Sequence, residues 1–194
     1  MRFIRYREAP MHRNNTLSSR AVETKNHPLQ KIILYIVAAT IIILTLYYLP
    51  NYFLLEKATA DGAAFLLNSI GLTVQTKVVD GNVFLADIEI VKDCTGVQVI
   101  AAFFGMLIPV PNAPLRKKLF TLLIISTSLY FANLLRVALE FSLVYLHILP
   151  WSLAHYPLSL LIGIIGMFLL VLVTDHLLPE FGDFLFNVSH LRNI

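Results

Sequence analysis

The chain has 194 residues, of which 57% are hydrophobic and only 14% charged, and its mean hydropathy is +0.73. A water-soluble domain keeps roughly a quarter of its residues charged, so this composition excludes an ordinary soluble domain and also a disordered chain. The 15 Lys and Arg exceed the 12 Asp and Glu by a net charge of +3, which gives no support to nucleic-acid binding. Most of the chain is therefore expected to lie in lipid.

The first 31 residues are basic and show no apolar periodicity, so we predict a mobile basic tail over 1–31. Every residue from Ile32 to Leu49 is apolar, aromatic or Thr, which makes about 27 Å of helix and predicts a first membrane span over 32–49. A secretory signal peptide is the alternative, but no small-x-small cleavage site follows this run. We therefore interpret the helix as retained and 32–194 as one membrane-embedded domain.

The segment 50–94 carries too many Asp, Glu and Lys side chains to cross a bilayer, so it lies outside the hydrocarbon. Its first part contains apolar residues such as Phe53 and Leu54 at helical spacing, which predicts a helix resting in the membrane interface. Two β-prone runs then flank Asp80-Gly81, and this dipeptide predicts the turn of a β-hairpin.

Three further apolar runs predict spans over about 95–111, 119–135 and 156–177. The second run is short by itself, and it reaches a sufficient length only when its ends lie among the headgroups. The third run continues past 135, interrupted by a few polar residues, and is too long for one upright span. We expect 136–155 to return along the interface or to form a partly buried hairpin near Pro150.

Lys and Arg are divided unevenly between the two sides of this four-span arrangement. One side, which includes both termini, carries eleven of the 15, and the other carries four together with seven carboxylates. The positive-inside rule then makes both termini cytoplasmic and the 50–94 segment extracytoplasmic. The predicted fold is an all-α integral membrane protein of the cell membrane, with about four transmembrane helices, an interfacial helix and a small extracytoplasmic β-hairpin.

Three chemically useful side chains from different predicted helices fall at one depth. Cys94, the only cysteine, begins the second span on the extracytoplasmic side. Arg136 lies about 27 Å along the third helix from its cytoplasmic end, and His155 about 30 Å along the fourth. Because the topology follows from charge and length alone, this convergence predicts a site at the outer interface.

A thiol, an imidazole and a guanidinium at one level suit acyl transfer. The Cys94 thiolate is the nucleophile, and a nearby cation or a helix N-terminus favours its ionised form. The His155 imidazole can take the thiol proton or protonate a leaving amine, because it titrates near neutral pH. The Arg136 guanidinium stays charged and can hold the oxyanion of a tetrahedral intermediate. We predict no cofactor and no metal site, since neither a metal-ligand spacing nor a Gly-rich phosphate loop occurs.

Each of the three residues also has a purely structural interpretation. A lone cysteine in a membrane protein is commonly small apolar filler. Arg136 and Glu140 are four residues apart and would form an ion pair on one helix face, with Asn133 on the same face. His155 would be an ordinary interfacial residue, and His147 is a competing candidate for the catalytic imidazole.

Three sequence blocks resemble the exosortase and archaeosortase family of membrane cysteine transpeptidases. Asp93-Cys94-Thr95-Gly96-Val97-Gln98 is similar to the family's Cys-(Ser or Thr)-Gly block, in the Thr form more typical of archaeosortases. Ala132-Asn133-Leu134-Leu135-Arg136-Val137 is similar to its Asn-x-x-Arg helix, and Trp151-Ser152-Leu153-Ala154-His155 to its His block. The resemblance covers about residues 60–175, and the order and spacing of the blocks agree as well as the residue types.

This resemblance implies that Cys94 attacks surface proteins near a C-terminal tripartite sorting signal, with Arg136 and His155 assisting. The signal consists of a short motif, a transmembrane helix and a basic cytoplasmic end. Cleavage would leave a thioester acyl-enzyme, and the acyl group would pass to an amine-bearing membrane lipid. Two alternatives remain open: a simple hydrolytic intramembrane protease with the same site residues, and a non-catalytic membrane scaffold or carrier subunit.

Overall fold

A computed structural model of the protein describes residues 28–189, and the basic tail predicted over 1–31 lies almost wholly outside this range. Six helices, a small sheet and a 3₁₀ turn make up the described part of the chain. The helices are α1 (Pro28–Tyr48), α2 (Phe53–Ser69), α3 (Val97–Leu107), α4 (Leu115–Tyr145), α5 (Trp151–Leu177) and α6 (Pro179–Ser189). The 3₁₀ turn (Lys92–Thr95) comes directly before α3. The all-α membrane class predicted from composition is confirmed.

Three of these helices, α1, α4 and α5, are long and apolar enough to cross a bilayer. The second predicted span differs from expectation, because α3 has only 11 residues and is about 16 Å long. Gly96 in a left-handed conformation precedes it, and a Pro-rich stretch beginning at Pro109 follows it. Proline lacks the N–H that a helix interior requires, so the apolar sequence cannot continue as helix to 111.

Helix α3 packs against α1 along its length. A Cβ on Gly105 would lie 2.8 Å from the Ala39 carbonyl oxygen, so the two backbones approach closely at this point. The Tyr35 hydroxyl donates to the Met106 carbonyl oxygen at 2.8 Å, and the Tyr47 hydroxyl donates to Asp93 Oδ1 at 2.7 Å. Helix α1 therefore holds both ends of the segment that carries α3.

Helix α4 extends farther in both directions than the predicted 119–135 span. It has 31 residues, about 46 Å of helix, and it continues as regular helix through Arg136 and Glu140 to Tyr145. The interfacial return or hairpin expected over 136–155 is reduced to the short connection between Tyr145 and Trp151. The polar residues do not end the helix because other side chains of the protein bind them.

The predicted hairpin is present and gains a third strand. Strands β1 (Thr76–Val79), β2 (Asn82–Leu85) and β3 (Ile88–Glu89) form an antiparallel sheet in that order. Val79 pairs with Asn82 across a turn in which Asp80 and Gly81 both have positive φ, 52° and 83°. This is the two-residue turn that an Asp-Gly dipeptide favours.

The sheet and α2 form a cap over one end of α4. The buried residues that join them are Ala60, Ala63, Ala64, Leu67, Val74, Val83, Leu85, Ile90, Leu134, Val137, Ala138 and Phe141. A second buried cluster joins α3, α4 and α6 nearer the other end: Phe103, Leu107, Val110, Leu122, Ile125, Leu129, Leu178 and Phe181. The predicted site residues Cys94, Arg136 and His155 lie beside the first cluster.

Helix α5 begins at Trp151, earlier than the predicted 156, and its second turn is a π-helix over Ala154–Leu158. Pro157 lies within that turn, and its missing N–H accounts for the local departure from α-helical hydrogen bonding. Leu170 and Val171 of α5 are half-buried against the second cluster, and the fully buried residues of this helix are Ala154 and Thr174. One of them adjoins His155.

Candidate active site

One pocket brings together the three side chains that the sequence singles out. It holds about 330 Å³ of empty space, its open mouth included, and lies between the sheet, α4 and the start of α5. Cys94, Arg136 and His155 all line it. The other lining residues are Leu85, Ile88, Ile90, Val137, Glu140, Phe141 and Trp151. The pocket thus has a mostly apolar wall with one thiol, one imidazole, one guanidinium and one carboxylate.

Cys94 is presented by the 3₁₀ turn between the sheet and α3. Asn133 of α4 donates from Nδ2 to the Cys94 carbonyl oxygen at 2.7 Å, and Thr95 donates from Oγ1 to the Lys92 carbonyl oxygen at 2.6 Å. Gly96 follows with a φ of +75°, the left-handed conformation that lets the chain turn into α3. These contacts fix the backbone that carries the thiol.

The Cys94 thiol is partly buried, and this burial raises its pKa above the ordinary value of 9.0. A hydrogen bond with the Val91 backbone and the positive charge of Arg136 act in the opposite direction but do not overcome burial. The thiol is therefore protonated at neutral pH when nothing accepts its proton. A nearby base is required for it to react as a thiolate.

The Arg136 guanidinium is held across two helices. Its Nη1 donates to Ser159 Oγ on α5 at 3.0 Å, and its Nε lies 3.6 Å from Glu140 Oε1 on its own helix. The second distance describes an ion pair without a hydrogen bond, and Nε is a buried donor with no hydrogen-bond partner among the described residues. The Glu140 carboxylate faces this buried donor, and its attraction offsets part of the cost of the missing hydrogen bond.

Glu140 is the most connected polar residue of the pocket. Its side chain is 5% exposed, and it accepts at Oε1 a short hydrogen bond from the Ser159 hydroxyl. Its Oε2 lies 3.3 Å from His155 Nδ1. The sequence predicts Glu140 only as a structural partner of Arg136, and that ion pair is present. The links to His155 and Ser159 were missed.

A signal for these links exists in the sequence. Arg136 and Glu140 are four residues apart on one helix, and His155 and Ser159 are four residues apart on the next. Such spacing puts each pair on one helix face, so two polar faces at the same level of two adjacent spans predict contact.

His155 lies in the π turn and its ring is packed on both sides. The ring stacks on Trp151 with centroids 4.7 Å apart and planes 9° apart, and Tyr156 meets it edge-on at 5.2 Å. His147, the competing candidate, is exposed in the connection after α4, with a φ of 56°, and does not line the pocket. The structure therefore favours His155 as the imidazole that belongs with Cys94.

The pocket can support nucleophilic chemistry at a carbonyl carbon. It offers a thiol, a nitrogen base beside a carboxylate, and a cationic donor within a mostly apolar wall. Within residues 28–189, no group of three or more His, Cys, Asp or Glu side chains is arranged to hold a metal ion.

A family model described as transmembrane exosortase matches residues 27–174 of the chain. The matched region contains Cys94, Arg136 and His155 and all the helices that position them. No curated protein and no solved structure matches the chain significantly.

Proposed function

The chain belongs to the transmembrane exosortase family, and on that basis we propose that it is a membrane cysteine transpeptidase with Cys94 as nucleophile, His155 as proton carrier and Arg136 as oxyanion donor. The observation that carries the proposal is the meeting of these three side chains in one pocket from three separate elements. Each role follows from the chemistry of the group and from what surrounds it.

In the first step, Cys94 Sγ attacks the carbonyl carbon of the scissile peptide bond. Because burial keeps the thiol protonated, the His155 imidazole takes the proton as the sulfur–carbon bond forms. The tetrahedral intermediate collapses, the carbon–nitrogen bond breaks, and the departing amine receives the proton from His155. The product is a thioester between Cys94 and the substrate.

Arg136 stabilises the negative oxygen of that intermediate. The guanidinium lines the pocket, and among the described residues only Ser159 accepts a hydrogen bond from it, at Nη1, so Nη2 can donate to an oxyanion without the loss of an existing bond. Ser159 holds Nη1 at 3.0 Å and so fixes the plane of the guanidinium. A donor that is already oriented before the reaction stabilises the transition state more than a donor that must first reorganise.

In the second step, an amine attacks the thioester and releases the Cys94 thiol. We propose that this amine belongs to a membrane lipid and that the substrates are surface proteins with a C-terminal tripartite sorting signal. A substrate held by its own transmembrane helix presents its scissile bond at the membrane interface, near the ends of α4 and α5 that carry the site. The distribution of Lys and Arg favours the extracytoplasmic side for the site and the cytoplasm for both termini.

The scaffold alternative accounts for the Arg136–Glu140 pair but not for its surroundings. A structural ion pair needs no thiol and no imidazole beside it, whereas here all four groups line one pocket. The hydrolytic alternative shares every site residue with the transpeptidase, and the two differ only in whether water or an amine resolves the thioester.

Mass spectrometry of surface-protein C-termini tests the proposal in cells that carry the gene, lack it, or express Cys94→Ala at equal membrane abundance. We expect a lipid amide at a new C-terminus in the first cells and intact sorting signals in the other two. A free carboxylate at the new C-terminus would identify a hydrolase instead. Normal processing by Cys94→Ala would overturn the nucleophile and with it the enzyme.

A further inference from the structure

We propose that Glu140 is a positioning residue that holds both the His155 imidazole and the Arg136 guanidinium in their reactive orientations, with Ser159 as the bridge to the guanidinium. This inference rests on the proposed function of the pocket. It assigns to Glu140 and Ser159 a part in the reaction beyond an ion pair within one helix.

The burial of Glu140 argues against a merely structural pair. The carboxylate belongs to a residue that is 4% exposed, within a helix that can cross a bilayer, and such a charge is costly unless several groups bind it. A pair with Arg136 would engage one oxygen. Instead, Oε1 accepts from Ser159 and Oε2 lies beside His155, so α5 contacts both oxygens.

The contact with His155 determines which ring nitrogen is available for chemistry. When Nδ1 carries its proton, it donates to Glu140 Oε2, and Nε2 becomes the unprotonated nitrogen. A carboxylate that holds an imidazole in this way fixes its tautomer and stabilises the imidazolium that forms during proton transfer. The stacked Trp151 ring limits rotation of the imidazole further.

The direction of the Ser159 hydrogen bonds follows from its single hydroxyl proton. Ser159 gives that proton to Glu140 Oε1 and accepts from Arg136 Nη1 at 3.0 Å. The hydroxyl therefore transmits the position of the carboxylate to the guanidinium, while the ion pair at 3.6 Å adds a direct attraction. One carboxylate thus orients both groups that assist Cys94.

The single cysteine of the chain provides a test that needs no substrate. Iodoacetamide alkylation of the full-length protein in lipid nanodiscs reports the reactivity of Cys94 alone. Other titratable or charged groups lie around Glu140 and His155. They are Arg136 on α4, Cys94 and Asp93 on the 3₁₀ turn, and Tyr156 on α5. The rate is measured against pH for wild type, Glu140→Gln, His155→Ala and the double variant.

Glu140 can act on Cys94 in two ways, and these have opposite effects on the rate of alkylation. Its negative charge alone disfavours the thiolate, so removing that charge would speed alkylation. Acting through His155, Glu140 helps to remove the thiol proton, so Glu140→Gln should slow alkylation near neutral pH by about tenfold and give the pH profile of His155→Ala. In the His155→Ala background the same substitution should leave the rate unchanged or raise it.

Three results would overturn this role: faster alkylation of Glu140→Gln, a rate equal to wild type, or an equal slowing with and without His155. Asp61→Asn is the matched control, because it removes a second i,i+4 ion pair, Lys57–Asp61 at 2.5 Å, away from the pocket. Its alkylation should equal that of wild type. Thermal melting of each variant identifies any that do not fold.

Ser159→Ala tests the guanidinium without changing a charge. We expect it to lower substrate processing by about tenfold while slowing Cys94 alkylation less, because the oxyanion forms only during the reaction with substrate. Wild-type processing by Ser159→Ala would overturn the bridging role. Should Cys94→Ala still process substrate, the proposed function fails while the alkylation results still decide the role of Glu140 toward His155.

Discussion

Asn133 of α4 donates a hydrogen bond of 2.7 Å from Nδ2 to the main-chain carbonyl of Cys94, so the helix that carries the Arg136 guanidinium also holds the backbone of Cys94. Asn133 is 9% exposed and stands one turn before Arg136. The distance between thiol and guanidinium is thereby tied to a single rigid helix.

Asn133→Ala should lower processing by about tenfold and destabilise the protein by about 1 kcal/mol, because the Cys94 carbonyl loses its donor. Thr127→Ala is the control, since Thr127 lies exposed on the same helix. Processing is followed by the new C-terminus and stability by thermal melting. Equal processing by the two variants would show that this hydrogen bond does not hold the nucleophile.

Gly96→Ala should impair both folding and reactivity. Gly96 has a φ of +75°, and a Cβ there would lie 3.2 Å from Asn133 Cγ and 3.0 Å from Leu129 Cδ2. We expect a loss of stability of about 1–2 kcal/mol together with slower Cys94 alkylation. Gly81→Ala is the matched control, because its φ is +83° and nothing lies within 4 Å of its Cβ position. Similar alkylation rates in both would mean that crowding at Gly96 is irrelevant to the thiol.

Arg136→Lys keeps the positive charge but loses the planar set of donors. We expect processing to fall by about a hundredfold, as is usual when an oxyanion donor is removed. Arg116→Lys, at the other end of the same helix, is the control and should process normally. Near-normal turnover by Arg136→Lys would contradict oxyanion binding through the guanidinium fork.

His155→Ala should reduce processing by about a hundredfold or more, the usual contribution of a general acid–base group. His147→Ala should have little effect, because His147 is exposed and outside the pocket. Both variants are compared by the rate at which the new C-terminus appears. The reverse order of severity would identify His147 as the active imidazole.

Asp93 provides a prediction for the acid range. The Tyr47 hydroxyl donates to its carboxylate, and this hydrogen bond lowers the pKa of Asp93 below its usual value of 3.8. The hydrogen bond therefore stabilises the folded protein fully at a pH above the pKa that Asp93 has in the unfolded chain. This stabilisation is lost as the pH falls through the lower pKa that Asp93 has in the folded protein. Tyr47→Phe should therefore lower the melting temperature at pH 6 but not at the lowest pH at which the protein remains folded. An equal loss at both values would exclude this linkage.

Local features of the fold could be predicted from the sequence, because short-range chemistry determines them. The Asp80-Gly81 turn is one example, since these residues tolerate positive φ wherever they occur. The membrane class and the three blocks around Cys94, Arg136 and His155 were also visible, and the family match confirms the resemblance.

The features that were missed depend on contacts between helices. The charged residues Arg136 and Glu140 made the second half of α4 look unsuited to a continuous span. In the structure Ser159 and His155 bind them, so the helix runs on to Tyr145. The pattern of residues along α4 does not show which residues of α5 lie beside it. For the same reason the sequence did not connect Glu140 with the imidazole.

The two buried residues of α5, Ala154 and Thr174, stand twenty positions apart, about 30 Å of helix, which equals the hydrocarbon thickness of a typical bilayer. Most side chains between these two residues are exposed to acyl chains, while Ser159 contacts Arg136 and Leu170 and Val171 pack against the second buried cluster. A thinner bilayer would be accommodated by tilting this helix further, and the tilt would change the positions of Trp151 and His155 at its end. The thickness of the bilayer used for reconstitution should therefore affect the reaction rate. It should be matched to the native membrane before the rates of variants are compared.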